Sequence, residues 1–287
     1  MASRFRSEVE SFLSENMVAY RISDGCIVIP DHEIALFLLE MIRYEIACFC
    51  DETELRCNTS VEQKCEYRRK FASKNGYKQL IIYEDLWFTK GDIIRNRLLA
   101  NLGLGERIFA RKCRVGKISA EMAREFLEIN HLIGDARCVF RYGLFYGEEL
   151  VSVAAFSASR PMERQGRILH SYEWVRYASR ASLRIVGGMG KLLDYFVTVE
   201  RPEEIMSYAD IDWSDGDVYR KLGFKQVGET PPVKFYVNSE TYERISAKKL
   251  LRDRKYRMMD SRPAQDEVQV PILNSGNLKF LKSFSIS

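Results

Sequence analysis

The run Val186-Gly187-Gly188-Met189-Gly190-Lys191 constrains this chain more than any other stretch. Three glycines in four positions remove the Cβ atoms that confine a backbone, so the chain can turn sharply there and approach other atoms closely. An apolar run over 168–177 precedes it, and helical periodicity over 191–199 follows. Strand, glycine corner and helix in that order predict a crossover unit, which requires a sheet with helices on its faces.

The flanking pattern extends that unit. A strand over 205–209, a short helix over 216–222 ending at Gly223-Phe224, and two strands flanking Pro231-Pro232 follow the corner. Before it come a strand over 107–113 and a helix over 119–130 with Ser119 as N-cap. Two alternating runs, 141–146 and 149–157, are joined by a Gly147-Glu148 hairpin turn.

The first third reads differently. A helix over 5–16 leads to two strands, 25–30 and 34–39, joined by Pro30-Asp31-His32. A charged helical pattern over 61–75 closes at Asn75-Gly76 before an apolar strand over 79–83. Glu84-Asp85-Leu86-Trp87 and a helix over 91–102 then lead to Gly103-Leu104-Gly105, which reads as a domain boundary. The expectation is an α/β (α+β) chain: a small α/β domain over 1–105, a mixed-sheet domain over 106–250, and a poorly ordered tail over 251–287.

A formal net charge of +4 tolerates a polyanion without demanding one. Neither the start nor any later segment has an apolar run of signal-peptide or membrane length, so a cytoplasmic protein without a membrane partner is expected. Seven cysteines, an odd number at irregular spacing, suit a reducing compartment. Cys48, Cys50, Cys57 and Cys65 cluster but lack the paired Cys-x-x-Cys of zinc sites, and no metal is expected there.

The segment 186–196 together with Tyr219-Arg220-Lys221-Leu222-Gly223-Phe224 resembles the GNAT superfamily of N-acetyltransferases. That resemblance implies a transferase in which Gly187, Gly188, Gly190 and Lys191 hold the pyrophosphate of acetyl-CoA. Glycines permit close approach to phosphate, and a helix N-terminus offers unpaired N–H groups and a positive dipole end. Read from Arg184, the family pattern finds Gly187 in place, with Met189 where the pattern has Gly or Ala.

A broader likeness runs through Arg111-Lys112-Cys113, Asn130-His131-Leu132 with Gly134, Tyr142-Gly143-Leu144, Gly187-Gly188 and Ser207-Tyr208-Ala209-Asp210. These resemble the C-terminal domain of phage homing-endonuclease-like proteins, and the Ser-Tyr-Ala-Asp stretch is similar to Mom-type DNA-adenine modification proteins. The N-terminal third resembles the Vsr-like nuclease module of the same phage proteins, through Ile29-Pro30, Ile34-Ala35, the helix near Lys64 and Leu80-Ile81 to Trp87. Such nucleases hold Mg²⁺ with oxygen ligands. Aligned on Ile29-Pro30, the ligand places hold Cys26 and Phe37, so no Mg²⁺ and no nuclease chemistry are expected.

Four residues are candidates for chemistry. His131, at a helix end before Gly134, is a base or metal ligand by the Mom-like comparison, or a structural histidine. Asp210 ends an apolar strand, where open α/β sheets collect ligands, or it caps the following turn. Tyr219 corresponds to the tyrosine that protonates a leaving thiolate in GNAT enzymes, or it packs its short helix. Arg176 is an anion fork or half of a salt bridge. The basic residues Arg244, Lys248, Lys249, Arg252, Arg254, Lys255 and Arg257, with Tyr242 and Tyr256 nearby, offer a track for DNA or a solvated surface. Three functions compete: an acyltransferase or Mom-like modifying enzyme behind an inactive nuclease-like domain, a non-catalytic DNA-binding protein, and an active nuclease with displaced ligands among the nearby Asp24, Asp31, Glu33 and Glu40.

Overall fold

The computed structural model describes residues 3–41, 70–71, 74–164, 166–181, 183–252 and 269–284. The cysteine cluster at Cys48 to Cys65 and the helix near Lys64 lie outside the described residues. Two compact units emerge: Met1–Gly91 with Asp210–Asp215 and Glu229–Asn277, and Asp92–Ala209 with Gly216–Gly228 and Leu278–Ser287.

In the first unit, helix α1 (Arg4–Glu15) buries Phe5, Val9 and Leu13, an i, i+4, i+8 stripe. Ser3 caps it, its hydroxyl accepting from the Arg6 N–H at 3.2 Å. Strands β1 (Arg21–Ser23), β2 (Cys26–Ile29), β3 (Ile34–Leu39) and β4 (Lys78–Tyr83) form one sheet in that order, with β3 and β4 parallel. All of β2 and the first four residues of β3 are buried, so the apolar runs are continuous rather than alternating. Helix α2 (Glu84–Thr89) follows β4 directly. A separate three-stranded sheet joins β15 (Arg244–Ser246), β14 (Lys234–Asn238) and β16 (Gln269–Leu273), with α7 (Ala247–Arg252) after β15.

The second unit takes nearly all of α3 (Gly91–Asn101), then β5 (Glu106–Phe109), a 3-10 turn at Ala110–Lys112, and β6 (Arg114–Lys117). Helix α4 (Ala120–Asn130) precedes β7 (Phe140–Tyr146), β8 (Glu149–Phe156), β9 (Arg160–Arg164), β10 (Arg167–Ser179) and β11 (Leu183–Val186). After the glycine corner come α5 (Gly188–Glu200), β12 (Glu204–Asp210), α6 (Asp217–Lys221), β13 (Lys225–Thr230) and β17 (Asn277–Ser283). The large sheet runs β13-β17-β12-β10-β8-β7-β6, with β9 on β10. Antiparallel strands β7, β8 and β10 meet a parallel partner in β12, reached through α5, so the sheet is mixed as the sequence pattern predicts. Phe156 and Phe196 stack at 3.8 Å between ring centres, fixing α5 on the sheet, and Trp174 stacks on Phe156 at 5.3 Å.

Two expectations meet a different arrangement. The expected division after Gly105 falls instead near Gly91, because α3 groups with the second unit. The stretch expected as a loose tail supplies β16 and β17. Val270 and Ile272, then Leu278 and Phe280, are buried at alternate positions, a period of two that the charged residues before them obscure.

Candidate functional site

Strands β10 and β12 pair in parallel only over Ser171–Trp174 and Glu204–Ser207, and β10 carries a register shift against β8 between Trp174 and Arg176. A bulge re-aims a strand. The two strands therefore part after Trp174 and Ser207, and parted carboxyl ends of parallel strands are where such sheets take ligands.

Ser207 and Tyr219 sit at this parting point. Ser207 Oγ lies 2.9 Å from the Trp174 carbonyl and 3.0 Å from the Tyr219 hydroxyl. Ser207 has one proton for these two acceptors, the Trp174 carbonyl and the Tyr219 oxygen, and Tyr219 directs its own proton toward the Tyr208 carbonyl at 3.5 Å. The Tyr219 ring stacks on Phe280 at 5.0 Å with an interplanar angle of 15°. Burial raises the pKa of its phenol, with the Ser207 contact opposing, so the hydroxyl keeps its proton at neutral pH.

The glycine corner stands at the start of α5. Gly187 is left-handed at φ +78° and exposed. Gly188 is buried, and a Cβ there would lie 2.8 Å from the Tyr177 hydroxyl and 3.0 Å from Ile185 Cγ2. Close packing on the end of β10 thus demands glycine at this position whether or not a ligand approaches it. The N–H groups of Gly188, Met189 and Gly190 belong to the first helical turn, which has no acceptor within the helix. Lys191, expected beside a phosphate, instead donates from Nζ to the carbonyls of Ala110 at 3.0 Å and Cys113 at 2.5 Å. It ties the 3-10 turn to the corner.

His131 and Arg176 meet elsewhere, around the turn that ends α4. His131 Nδ1 accepts from the Ile133 N–H at 3.2 Å, which places the ring proton on Nε2. Burial first, then the charges of Arg176 and Arg97, push its pKa from 6.5 to about 3. The imidazole is therefore neutral at pH 7. Arg176 donates from Nε to the Gly134 carbonyl at 3.0 Å and from Nη1 to the Val175 carbonyl at 3.0 Å. Gly134 is left-handed at φ +67°, a conformation that favours glycine. Asn130 joins this turn to the end of β10 by accepting from the Ala181 N–H at 2.8 Å. The motif Asn130-His131-Leu132 with Gly134 therefore organises a loop.

Asp210 caps its own turn. Its Oδ1 accepts from the Asp212 N–H at 3.0 Å, and its carbonyl accepts from Trp213 and Ser214 at 3.1 and 2.9 Å. It groups with the first unit, and Tyr219 with the second.

In the first unit, Cys26 and Phe37 are core residues, 1% and 7% exposed. Burial raises the Cys26 thiol, which makes the oxygen-ligand place doubly unsuited to Mg²⁺. Asp24, Asp31 and Glu33 are exposed, and Glu40 accepts from the Ser3 hydroxyl at 2.9 Å. The acidic centre of this unit is elsewhere. Asp85, fully buried, takes a bidentate pair from Arg244 at 2.6 and 2.7 Å, and the guanidinium lies 4.6 Å over the Tyr83 ring. Glu84 accepts from the Met41 N–H at 2.6 Å, and burial raises its pKa. Arg244 is thereby removed from the basic run. Lys248 and Lys249 stay on the surface of α7, while Arg254, Lys255, Tyr256 and Arg257 lie outside the described residues.

Neither Ser207 nor the Asp85–Arg244 pair stands out in the sequence. Ser207 lies inside the Ser-Tyr-Ala-Asp stretch but reads as an ordinary strand residue. Asp85 and Arg244 are 159 positions apart, and no local spacing links them.

No protein-family model and no curated protein matches the sequence. Among solved structures, a Bacillus subtilis acetyltransferase in complex with CoA is 16% identical, covering 61% of this chain and 100% of its own at a TM-score of 0.37. A structure described as histone acetyltransferase HPA2 and related acetyltransferase, from Corynebacterium glutamicum, is 12% identical over 61% of this chain and 98% of its own, with TM-score 0.36. A GNAT family acetyltransferase from Elizabethkingia anophelis with acetyl-CoA bound is 11% identical over 60% and 99%, with TM-score 0.35. Identities and scores this low transfer no activity, substrate or site residue.

Proposed function

We propose that the second unit is a GNAT-like acyltransferase domain that takes an acyl-CoA donor at the crossover from β10 to α5. The first unit, in this reading, is a nuclease-like module of phage or mobile-element type without metal chemistry. The observation that carries the proposal is the parting of β10 and β12 after Trp174 and Ser207, with Tyr219 at the fork and a glycine-started helix on the same crossover.

The residues present fit a diphosphate at the corner. Gly187 is exposed, with only Ala110 Cβ among the described residues near the place of a side chain, at 3.8 Å, and three successive amides lack helical acceptors. Gly188, Met189 and Gly190 would hold the phosphates; Lys191 would not, being engaged with Ala110 and Cys113. Bound there, acyl-CoA would supply an activated thioester. Tyr219 holds a proton at its hydroxyl for a leaving thiolate, and Ser207 orients that hydroxyl. Phe280 keeps the ring in place. Neutral His131 and loop-bound Arg176 take no part in proton transfer. The competing DNA-binding reading loses Arg244 to Asp85, so the geometry favours acyl transfer.

Calorimetric titration of the full chain with CoA tests this. Saturable heat that is lost in Met189→Glu, whose carboxylate repels phosphate at a site a helix start tolerates, is expected. No heat at millimolar CoA, or equal affinity in the variant, overturns it.

A further inference from the structure

A cavity of about 540 Å³ lies within the second unit, bounded by α3, the end of α4 and the connection from β10 to β11. None of residues 187–191 lines it, so it is separate from the glycine corner. Its volume is in the range of small-molecule sites. Ile93, Leu104 and Leu183 give it apolar walls, while Arg97, Arg180 and Arg184 bring three guanidinium-bearing side chains to the same lining.

Arg184 meets a like charge here. Arg184 stands directly opposite Arg107 in the β11–β5 pairing, and guanidinium nitrogens of both lie within 4 Å of the place where a Gly103 Cβ would stand. Like charges facing across a strand pair destabilise the pair. Arg180 is balanced by Glu149 at 2.7 Å, and Asp92 on the cavity wall faces Arg95 at 3.8 Å. Among the described residues, the Arg184 and Arg107 side chains show no carboxylate partner of that kind. His131 also lines the cavity, and with Nδ1 accepting from Ile133 its Nε2–H is a neutral donor. The fields of Arg97 and Arg176 that suppress its protonation report the same positive potential.

We propose that this cavity binds a small organic carboxylate with an apolar body, its head on Arg184 and its body against Ile93, Leu104 and Leu183. Arginine forks match carboxylates in two-point contact, and an apolar wall beside them selects a ligand that is more than a bare anion. The site is independent of whether the glycine corner holds CoA.

Calorimetric titration of the full-length protein with octanoate, octanamide and inorganic phosphate tests the assignment. Saturable octanoate binding is expected, at least tenfold tighter than either octanamide or phosphate. Arg184→Gln is expected to weaken octanoate at least fivefold and to leave octanamide unchanged. Equal binding of acid and amide, phosphate binding as tightly as octanoate, an unchanged affinity in Arg184→Gln, or no octanoate heat at millimolar concentration each overturns it. Octanoate titrated into Met189→Glu separates this site from the corner, since that variant is expected to lose CoA heat and to keep octanoate heat.

Discussion

The hydroxyls of Tyr219 and Ser207 lie 3.0 Å apart, and Ser207 reaches on to the Trp174 carbonyl at the point where β10 and β12 part. One hydroxyl thus closes a strand gap and positions a second. Removing the two groups has unequal consequences. Tyr219→Phe keeps the stack on Phe280 and leaves Ser207 bonded to Trp174, so a stability loss of about 1 kcal/mol or less is expected. Ser207→Ala leaves both the carbonyl and the phenol without this partner, and about 1–3 kcal/mol is expected. Urea unfolding of the two variants gives the order. On the acyl-transfer reading, Tyr219→Phe also lowers kcat on the order of a hundredfold with KM for the donor unchanged.

His131 is expected to stay neutral, with its proton on Nε2, down to pH 4 in the native state. Its folded pKa, about 3, lies below the ordinary 6.5. The unfolded chain therefore binds the proton first as pH falls, and stability drops between about pH 6.5 and 3. His131→Asn keeps an acceptor for the Ile133 N–H while losing the titration, so its stability should fall less over that window. Nitrogen NMR of the ring reads the tautomer, and denaturant melts at several pH values read the linkage; a ring that titrates near 6.5 contradicts both.

Gly188→Ala is expected to destabilise by roughly 1–3 kcal/mol, because the new methyl would stand 2.8 Å from the Tyr177 hydroxyl and 3.0 Å from Ile185. Gly190→Ala has, among the described residues, only Leu222 Cδ2 at 3.3 Å to move, and the gain in helix propensity of up to about 1 kcal/mol offsets it. Thermal melts of the pair should therefore differ clearly, with Gly190→Ala near the parent.

Breaking the Asp85–Arg244 pair from one side is expected to cost about 3–5 kcal/mol, since a charge is stranded beside Tyr83 and Phe235. Asp85→Asn with Arg244→Met together should cost less than the sum of the single changes. A double-mutant cycle in guanidinium measures the coupling, and strict additivity rules the pair out as a unit.

The Gly147-Glu148 hairpin, the Ser119 cap and the strand–glycine–helix corner were legible because each depends on neighbours a few residues away. The roles assigned to Lys191, Arg176 and Asp210 were not. Lys191 and Arg176 find their partners through three-dimensional proximity, at Ala110 and Cys113 and at Gly134, while Asp210 takes the local turn cap that its position also allows. A lysine next to a glycine turn has the same sequence signature whether it meets phosphate or backbone carbonyls.

The sequence by itself determined that the chain alternates strands and helices around a glycine corner, because hydrophobic period and backbone freedom are local properties. Only the tertiary structure decided that residues 269–284 join two sheets, that Arg244 belongs to Asp85, and that three arginines share a cavity with a neutral histidine. Those outcomes depend on which distant segments pack together and on the desolvation and charge that packing creates, and neither quantity is carried by any short stretch of residues.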